Sequence, residues 1–323
     1  MNEHRTPAVD DLPGFTPAGK AQPAPRVAAT SIEEGVRCDV HAGRRALEIA
    51  SSTPMRAEWI ELLERCPWAT TFQHPDFASA WYAAYADTYE PILAVVRARG
   101  GELVGLFAGA LSADGLCATG GHQAEYPGWL AAPALHIEVF DTMITTLDLS
   151  VGRTALHLRY CPPGYPVDEL LLRSRHRRRL LARAHKRPIM DLHAGSASQS
   201  LKKKGNKSKL NRLRRIGPVS LAVVGEAGLE TALGEIIAQY DPRQLRTAGY
   251  EPFSSDPRKR PFHVEMGRRG LLHVSFLEAG DRKAAGHVGV RSGEEVILAI
   301  VSFDPDLAEH SPNKLLLLML AEK

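Results

Sequence analysis

Residues 296–323 hold the clearest spacing for ligand binding in this sequence. An apolar strand pattern ends at Phe303-Asp304-Pro305, and a helix pattern begins at Ser311-Pro312 after a short loop. Serine is favoured just before a helix and proline at its first position. A helix that starts just beyond a strand presents free N–H groups and a positive dipole end, which suits a phosphate. Lys314 would add a charge, whereas a plain core helix is the alternative, because residues 315–320 are apolar all round.

Several familiar catalytic and metal motifs are missing from the sequence. It contains no GxSxG, no GxxxxGK[ST] and no GxGxxG after a strand, which argues against serine hydrolases, P-loop enzymes and Rossmann folds. The four cysteines lie tens of residues apart without a CxxC pair, and the histidines lack HExxH-type spacing. We therefore predict no metal site.

Length and composition favour an ordinary globular chain. With 323 residues and 44% apolar residues, it can bury a large core as one large domain or two domains of ordinary size. The apolar run 315–321 is too short to span a bilayer, and the first 30 residues contain no apolar stretch of a secretory signal. The sequence thus predicts a cytoplasmic protein and leaves a peripheral position at the inner membrane open.

Two basic runs dominate the charge distribution. Residues 173–187 and 202–215 each carry eight Lys or Arg and no acid, whereas the rest of the chain has 24 basic and 37 acidic residues, a charge of −13. We call residues 173–215 the basic belt. Concentrated positive charge attracts an anionic surface or polymer. A solvated arm without a partner is the alternative reading of the same residues.

The order of predicted elements suggests two α/β units. Residues 1–34 are rich in proline and alanine and predict a disordered tail. An N-terminal unit over 35–192 is expected next, followed by a linker and basic helix at 193–216 and a C-terminal unit at 217–323. Each unit is predicted to run strand, helices, antiparallel meander and helix.

Local patterns predict the elements inside these units. Phe77, Trp81 and Tyr85 recur every four residues after Pro75, as on the buried face of a helix. Apolar runs on either side of Gly100-Gly101 predict a hairpin. The first unit should close with a strand over 155–160 and a basic helix over 169–187.

Scattered residues over about 55–323 resemble one known family. The sequence is similar there to the GNAT-type acetyltransferase-like domain associated with cellulose biosynthesis, the CelD-like group, which is related to the Fem-type aminoacyl transferases. The segments that carry the resemblance are Phe72-Gln73-His74-Pro75-Asp76-Phe77, Gly105-Leu106-Phe107, Glu125-Tyr126, Gly128-Trp129, Leu213-Arg214-Arg215-Ile216-Gly217-Pro218, Phe303-Asp304-Pro305 and Ser311-Pro312.

The resemblance implies a fold and an activity. It implies tandem GNAT-like units, each with a largely antiparallel sheet flanked by helices, and transfer of an acyl group from acetyl-CoA or another acyl-CoA to an amine. Ala299, Ile300, Val301 and Ser302 would border the pantetheine, whereas Ser311, Asn313 and Lys314 would border the pyrophosphate. GNAT phosphate loops are usually glycine-rich, however, and residues 309–313 contain no glycine. The sequence also ends at Lys323, so a shortened member and an incomplete second unit both stay open.

Acylation of an amine needs a base, and the sequence offers one in the glycine-rich loop 120–129. A partly desolvated Glu125 could take the ammonium proton, and Tyr126 could donate to the leaving thiolate. A loop held by its own side chains is the alternative for this pair. A non-catalytic polyanion-binding protein and an accessory protein on a degenerate GNAT scaffold are the competing functions. Nucleic acid is disfavoured as a partner, because the basic runs contain no aromatic residue for stacking on bases.

Overall fold

A computed structural model describes residues 30–33, 35–162, 164–184 and 195–322. These residues divide into two compact units, one ending at residue 184 and the other beginning at residue 195. Most of the predicted N-terminal tail, residues 1–29 and 34, lies outside the described residues. Residues 30–33 of that predicted tail form a strand, which pairs with the strand that follows it.

The first unit is an antiparallel sheet flanked by helices. The sheet follows chain order from β1 to β5, and the two-residue β6 pairs with β4. Its strands are β1 (Thr30–Glu33), β2 (Val36–Ala42), β3 (Glu90–Ala98), β4 (Leu103–Ser112), β5 (Gly115–Ala118) and β6 (Leu130–Ala131). Its helices are α1 (Gly43–Ser51), α2 (Thr53–Arg65), α3 (Pro75–Tyr85), α4 (His136–Val151) and α5 (Val167–Arg173). The hairpin predicted around Gly100-Gly101 is confirmed, since β3 and β4 pair along their length.

Aromatic side chains fill the core of the first unit. The predicted core face of α3 is confirmed, because Phe77, Trp81 and Tyr85 are all buried. Trp81 stacks on Tyr85 with ring centroids 5.3 Å apart. Burying three such rings on one helix face supplies several kcal/mol, at about 25 cal/mol per Å² of apolar surface removed from water.

The second unit is a four-stranded antiparallel sheet in the order β10-β9-β8-β7. Its strands are β7 (Val219–Val223), β8 (Leu272–Ala279), β9 (Arg282–Ser292) and β10 (Glu295–Phe303). Its helices are α6 (Ser196–Lys202), α7 (Lys204–Arg214), α8 (Leu229–Ala248), α9 (Lys259–Arg268) and α10 (Pro312–Leu320). The prediction of two α/β units, each with an antiparallel sheet flanked by helices, is confirmed.

The two faces of the second sheet are covered by different helices. Leu277 and Ala285 on one face belong to a buried cluster with Leu213 of α7 and with Leu315 and Leu316 of α10. Side chains alternate along a strand, so the adjacent residues Phe276 and Gly286 face the other way, and Gly286 lies next to Ile236 of α8. The helices α7 and α10 thus cover one face and α8 covers the other.

Three local predictions differ from the structure. The expected basic helix over 169–187 ends at Arg173, because Ser174 is buried and donates a hydrogen bond to the Asp141 carboxylate on α4. The expected strand over 155–160 shrinks to one parallel bridge between Leu116 and Leu156. Of the linker and basic helix expected at 193–216, the basic helix is present as α7, which contributes Leu213 to the core of the second unit, whereas residues 196–202 of the expected linker form α6.

Candidate functional site

The edge strand β10 carries an irregularity where the sequence predicts ligand contacts. Leu298 pairs with Gly289 and Ile300 with Val288, so Ala299 is an extra residue in the ladder with β9. Such a bulge leaves its residue unpaired and bends the strand. Within residues 195–322, no strand pairs with the outer side of β10. Its backbone N–H and C=O groups on that side are therefore accessible to a ligand.

The predicted pantetheine residues differ in what they expose. Ala299 is exposed, whereas the side chains of Ile300 and Ser302 are buried. Ser302 Oγ donates a hydrogen bond of 3.0 Å to Gln239 Oε1 on α8. Val301 is half-buried and pairs with His287. What Ile300 and Ser302 can offer a ligand is hence their backbone.

Apolar side chains adjoin the bulge. Val296 is 39% exposed and Leu298 is 50% exposed, and both precede the exposed Ala299. Val296 and Leu298 are two residues apart on a strand and so share one face. This strip is apolar surface that a hydrophobic ligand segment would remove from water.

The start of α10 is built differently from the expected N-cap. Ser311 precedes the helix but has φ +47° and ψ 53°, the only left-handed non-glycine backbone among the described residues. Its side chain makes no capping hydrogen bond. The Oγ atom instead accepts a hydrogen bond of 2.6 Å from Lys209 Nζ on α7. Backbone held in a sparsely populated conformation costs about 1–3 kcal/mol and often marks a functional position.

The backbone donors at this helix start are few. Pro312 has no N–H, and the N–H groups of Lys314 and Leu315 donate to the Ser311 carbonyl. Lys314 is exposed and Asn313 is half-buried. An anion here would therefore be held mainly by the side chains of Lys209, Asn313 and Lys314, unlike in a glycine-rich phosphate loop.

Glu125 and Tyr126 lie in the first unit. Both are half-buried, and the Tyr126 carbonyl accepts a hydrogen bond of 2.6 Å from Gln73 Nε2. The Tyr126 ring lies edge-on to Phe72, with centroids 6.3 Å apart. A cavity of about 10 Å³ beside Gln73 and Gly128 has room for one water molecule at most. The seven predicted cofactor residues thus lie on β10 and at the start of α10, whereas the predicted catalytic pair lies in the other unit.

Sequence reasoning missed a group of buried polar side chains on the second sheet. His287 and Ser275 are fully buried and directly opposite each other on β9 and β8. Neither ring nitrogen of His287, nor the Ser275 hydroxyl, has a hydrogen-bond partner among the described residues. Burial, followed by the nearby His273, lowers the pKa of His287 to about 4, so this imidazole is neutral at pH 7.

The two basic runs differ in how their charges are held. In the first run, Arg173 forms an ion pair with Glu169 and Arg179 with Asp148. In the second run, seven of the eight cations are exposed, and none of the eight pairs with a carboxylate of the described residues. Lys186 and Arg187 lie outside the described residues. Carboxylates of the described residues therefore neutralise part of the first run and none of the second.

Two kinds of feature are absent from the part of the chain that the structure describes. It holds no cluster of three or more His, Cys, Asp or Glu side chains that could bind a metal ion. None of its helices has the length and apolar character needed to cross a membrane.

Comparisons with known proteins agree with this architecture. One solved structure, of a conserved protein of unknown function from Bacteroides thetaiotaomicron VPI-5482, superposes with a TM-score of 0.51 at 14% identity over 83% of each chain. At that identity the likeness shows the fold alone. The comparison with curated proteins gives no match. Residues 201–323, which include β10, α10 and the basic helix α7, match the family model of the acetyltransferase (GNAT) domain.

Proposed function

We propose that this protein is an acyl-CoA-dependent N-acyltransferase whose second unit binds the acyl donor. The observation that carries the proposal is the match of residues 201–323 to the GNAT domain, combined with the open, bulged edge of β10, the strand that precedes α10. Acetyl-CoA or another acyl-CoA would be the co-substrate, and an amine the acceptor. An acceptor from envelope or polysaccharide metabolism, as in the CelD-like group, and a cytoplasmic location remain predictions from the sequence.

The donor would lie along β10 with its phosphates at α10. The edge backbone of residues 299–302 can bond the pantetheine amides, and Val296 and Leu298 can cover apolar parts of the donor. Ser311, Asn313 and Lys314 would border the pyrophosphate, as the resemblance implies. Lys209 joins this set, because its ammonium group already contacts Ser311 Oγ. Two lysines would then supply the positive charge that a glycine-rich loop supplies through backbone N–H groups.

The chemistry asks little more of the protein. The acceptor ammonium must lose a proton before its nitrogen attacks the thioester carbon. The C–S bond then breaks, and the thiolate leaves with a proton. We assign Glu125 as the base that takes the ammonium proton and Tyr126 as the group that donates a proton to the leaving thiolate. Both residues belong to the loop that resembles the family.

Ligand-dependent melting tests donor binding. Acetyl-CoA at 100 times its Kd should stabilise the native protein by about 2.7 kcal/mol, because only the folded state binds it. Lys209→Gln and Lys314→Gln should each lower that stabilisation, whereas Lys207→Gln, an exposed position on the same helix as Lys209, should not. Absence of any shift with acetyl-, malonyl- and longer acyl-CoAs at millimolar concentration would overturn the proposal.

A polyanion-binding function is the second candidate, and the exposure of the α7 cations favours it. The helix offers a row of positive charges without carboxylate partners among the described residues. Binding of the protein to heparin, together with a melting temperature that acyl-CoA does not change, would support this function over acyl transfer.

A further inference from the structure

One cation of the second unit is held without an anionic partner, at the end of β10. Arg243 on α8 is half-buried, and its guanidinium carbon lies 5.6 Å from the ring centroids of both Tyr240 and Phe303. Its Nε is buried and has no hydrogen-bond partner. Among the residues that the structure describes, Arg243 forms no ion pair. Leaving a buried donor without a partner is unfavourable, so this arrangement calls for a ligand beside the guanidinium.

The acids near Arg243 are engaged elsewhere. Asp241, two residues earlier, accepts hydrogen bonds from the backbone N–H groups of Phe253 and Ser254 and from Ser254 Oγ. Asp304, next to Phe303, forms an ion pair with Arg282. Within the described part of the chain, these two carboxylates thus leave the charge of Arg243 without an ion pair.

The two rings fix the direction of the guanidinium. Tyr240 accepts a hydrogen bond of 2.7 Å at its hydroxyl from Gln244 Nε2, which holds the ring. Phe303 is the last residue of β10 and packs against the cluster under α10. A planar guanidinium held over aromatic rings loses little entropy when its N–H groups bind a planar or tetrahedral oxyanion.

The position of Arg243 connects it with the open strand edge. Gln239 lies one helical turn earlier on α8 and accepts the hydrogen bond from Ser302 Oγ of β10. Arg243, one turn further along α8, therefore lies beside the last residue of the strand, next to residues proposed to border the donor.

We infer that Arg243 binds an oxyanion, a phosphate or a carboxylate, at the carboxyl end of β10. The anion site itself stands on the contacts of Arg243 and goes beyond the proposed function. Its source is either a phosphate of the acyl donor or an acidic group on the acceptor. The choice of the donor as the source rests on the proposed function.

Calorimetric titration with inorganic pyrophosphate, without any acyl-CoA, tests the site directly. Arg243→Met keeps the apolar stem against Phe303 but removes the charge, and should weaken pyrophosphate binding by about tenfold or more, the usual loss for a charged hydrogen bond. Arg246→Met, an exposed arginine three residues later on the same helix, is the matched control and should bind like the parent. Arg243→Lys keeps the charge without the planar fork and should bind with intermediate affinity.

A second titration series identifies the source of the anion. If the donor supplies it, Arg243→Met weakens CoA binding and leaves pantetheine binding unchanged. If the acceptor supplies it, Arg243→Met binds CoA with the parent's affinity. The variant then loses only the pyrophosphate binding that the parent shows when CoA is saturating. Pyrophosphate binding that is equal in the Arg243 and Arg246 variants, or undetectable in the parent protein, overturns the inference, whether or not acyl-CoA binds.

Discussion

The last strand of the antiparallel meander lies at a sheet edge in each unit, and the two edges differ in what covers them. In the first unit, the chain returns after α4, and Leu156 forms a parallel bridge with Leu116 of β5. The neighbouring Thr154 lies against Gly115, where a Cβ atom would meet its hydroxyl at 2.6 Å. In the second unit, no strand of the described residues pairs with the outer side of β10. The same order of elements thus gives one edge covered by its own chain and one edge open to a ligand.

This difference explains why we assign donor binding to one unit only. β5 has four residues and a covered edge, whereas β10 has nine residues, a bulge at Ala299 and exposed apolar side chains. A ligand that bonds to a strand edge needs unpaired backbone groups. A second donor site on β5 would have to displace residues 154–156.

Filling the open edge should have the largest effect. Ala299→Trp places a large ring where the donor is proposed to lie, and should reduce acyl transfer by about 10²-fold or more, the loss expected when a substrate is displaced by roughly 1 Å. Ala155→Trp, an exposed alanine at the covered edge, should leave the rate unchanged. Steady-state rates of both variants with acetyl-CoA measure the contrast. Equal rates in the two variants would remove β10 from donor binding.

Glu125→Gln tests whether the first unit takes part in catalysis at all. The change keeps the shape of the side chain and removes its basicity, so turnover should fall by about 10²-fold at saturating acyl-CoA. The melting temperature should hardly change, since the residue is only half-buried. Glu64→Gln, an exposed carboxylate of the same unit, serves as the control. Unchanged turnover would take Glu125 out of the mechanism.

Local patterns in the sequence predicted much of the fold. The hairpin around Gly100-Gly101 and the core face of α3 depend on neighbouring residues, so they are visible in the sequence. The hydrogen bond between Lys209 and Ser311 joins residues 102 positions apart, and no spacing rule could reveal it. The contact between the Arg243 guanidinium and the Phe303 ring is also long-range and carries no motif. The early end of α5 depends on Asp141, which lies on another helix.

Acid should destabilise the second unit through buried histidines. Burial lowers the pKa of His287 and of His263 to about 4, against 6.5 for a free imidazole. Between pH 6.5 and 4 these histidines are protonated in the unfolded chain but not in the folded unit. The free energy of unfolding therefore keeps its full value above pH 6.5 and falls as the pH drops toward 4. At pH 5 each histidine should cost about 2 kcal/mol, roughly 1.5 pKa units at 1.36 kcal/mol each.

The distribution of tryptophan makes the two units distinguishable in this experiment. All four tryptophans lie in the first unit, so their fluorescence follows that unit, while far-UV circular dichroism follows both. Urea midpoints at pH 7 and 5 should shift more by circular dichroism than by fluorescence. His287→Leu should remove about half of the extra shift, and exposed His157→Leu none of it. Equal shifts with both probes would contradict the assignment.

The smallest effects on folding should come from the exposed lysines at the end of α6 and the start of α7. Replacing Lys202, Lys203, Lys204 and Lys207 with glutamine removes exposed charges, so the free energy of unfolding should change by about 0.5 kcal/mol or less. Heparin retention should nevertheless drop to lower salt, because each neutralised charge no longer releases a counterion on binding.

The first basic run provides the matched comparison for this prediction. Replacing Arg173, Arg175, Arg177 and Arg179 with glutamine removes the same number of charges. In this run, however, Arg173 pairs with Glu169 and Arg179 with Asp148. Arg175 also donates a hydrogen bond to the Asp141 carbonyl. These four substitutions should therefore cost more stability and less heparin affinity than the four lysine substitutions of the second run, because paired cations are already partly neutralised. Elution at the parent's salt concentration after the four lysine substitutions would mean that these exposed lysines bind no polyanion, and the role left to the second run would be at the start of α10, where Lys209 contacts Ser311.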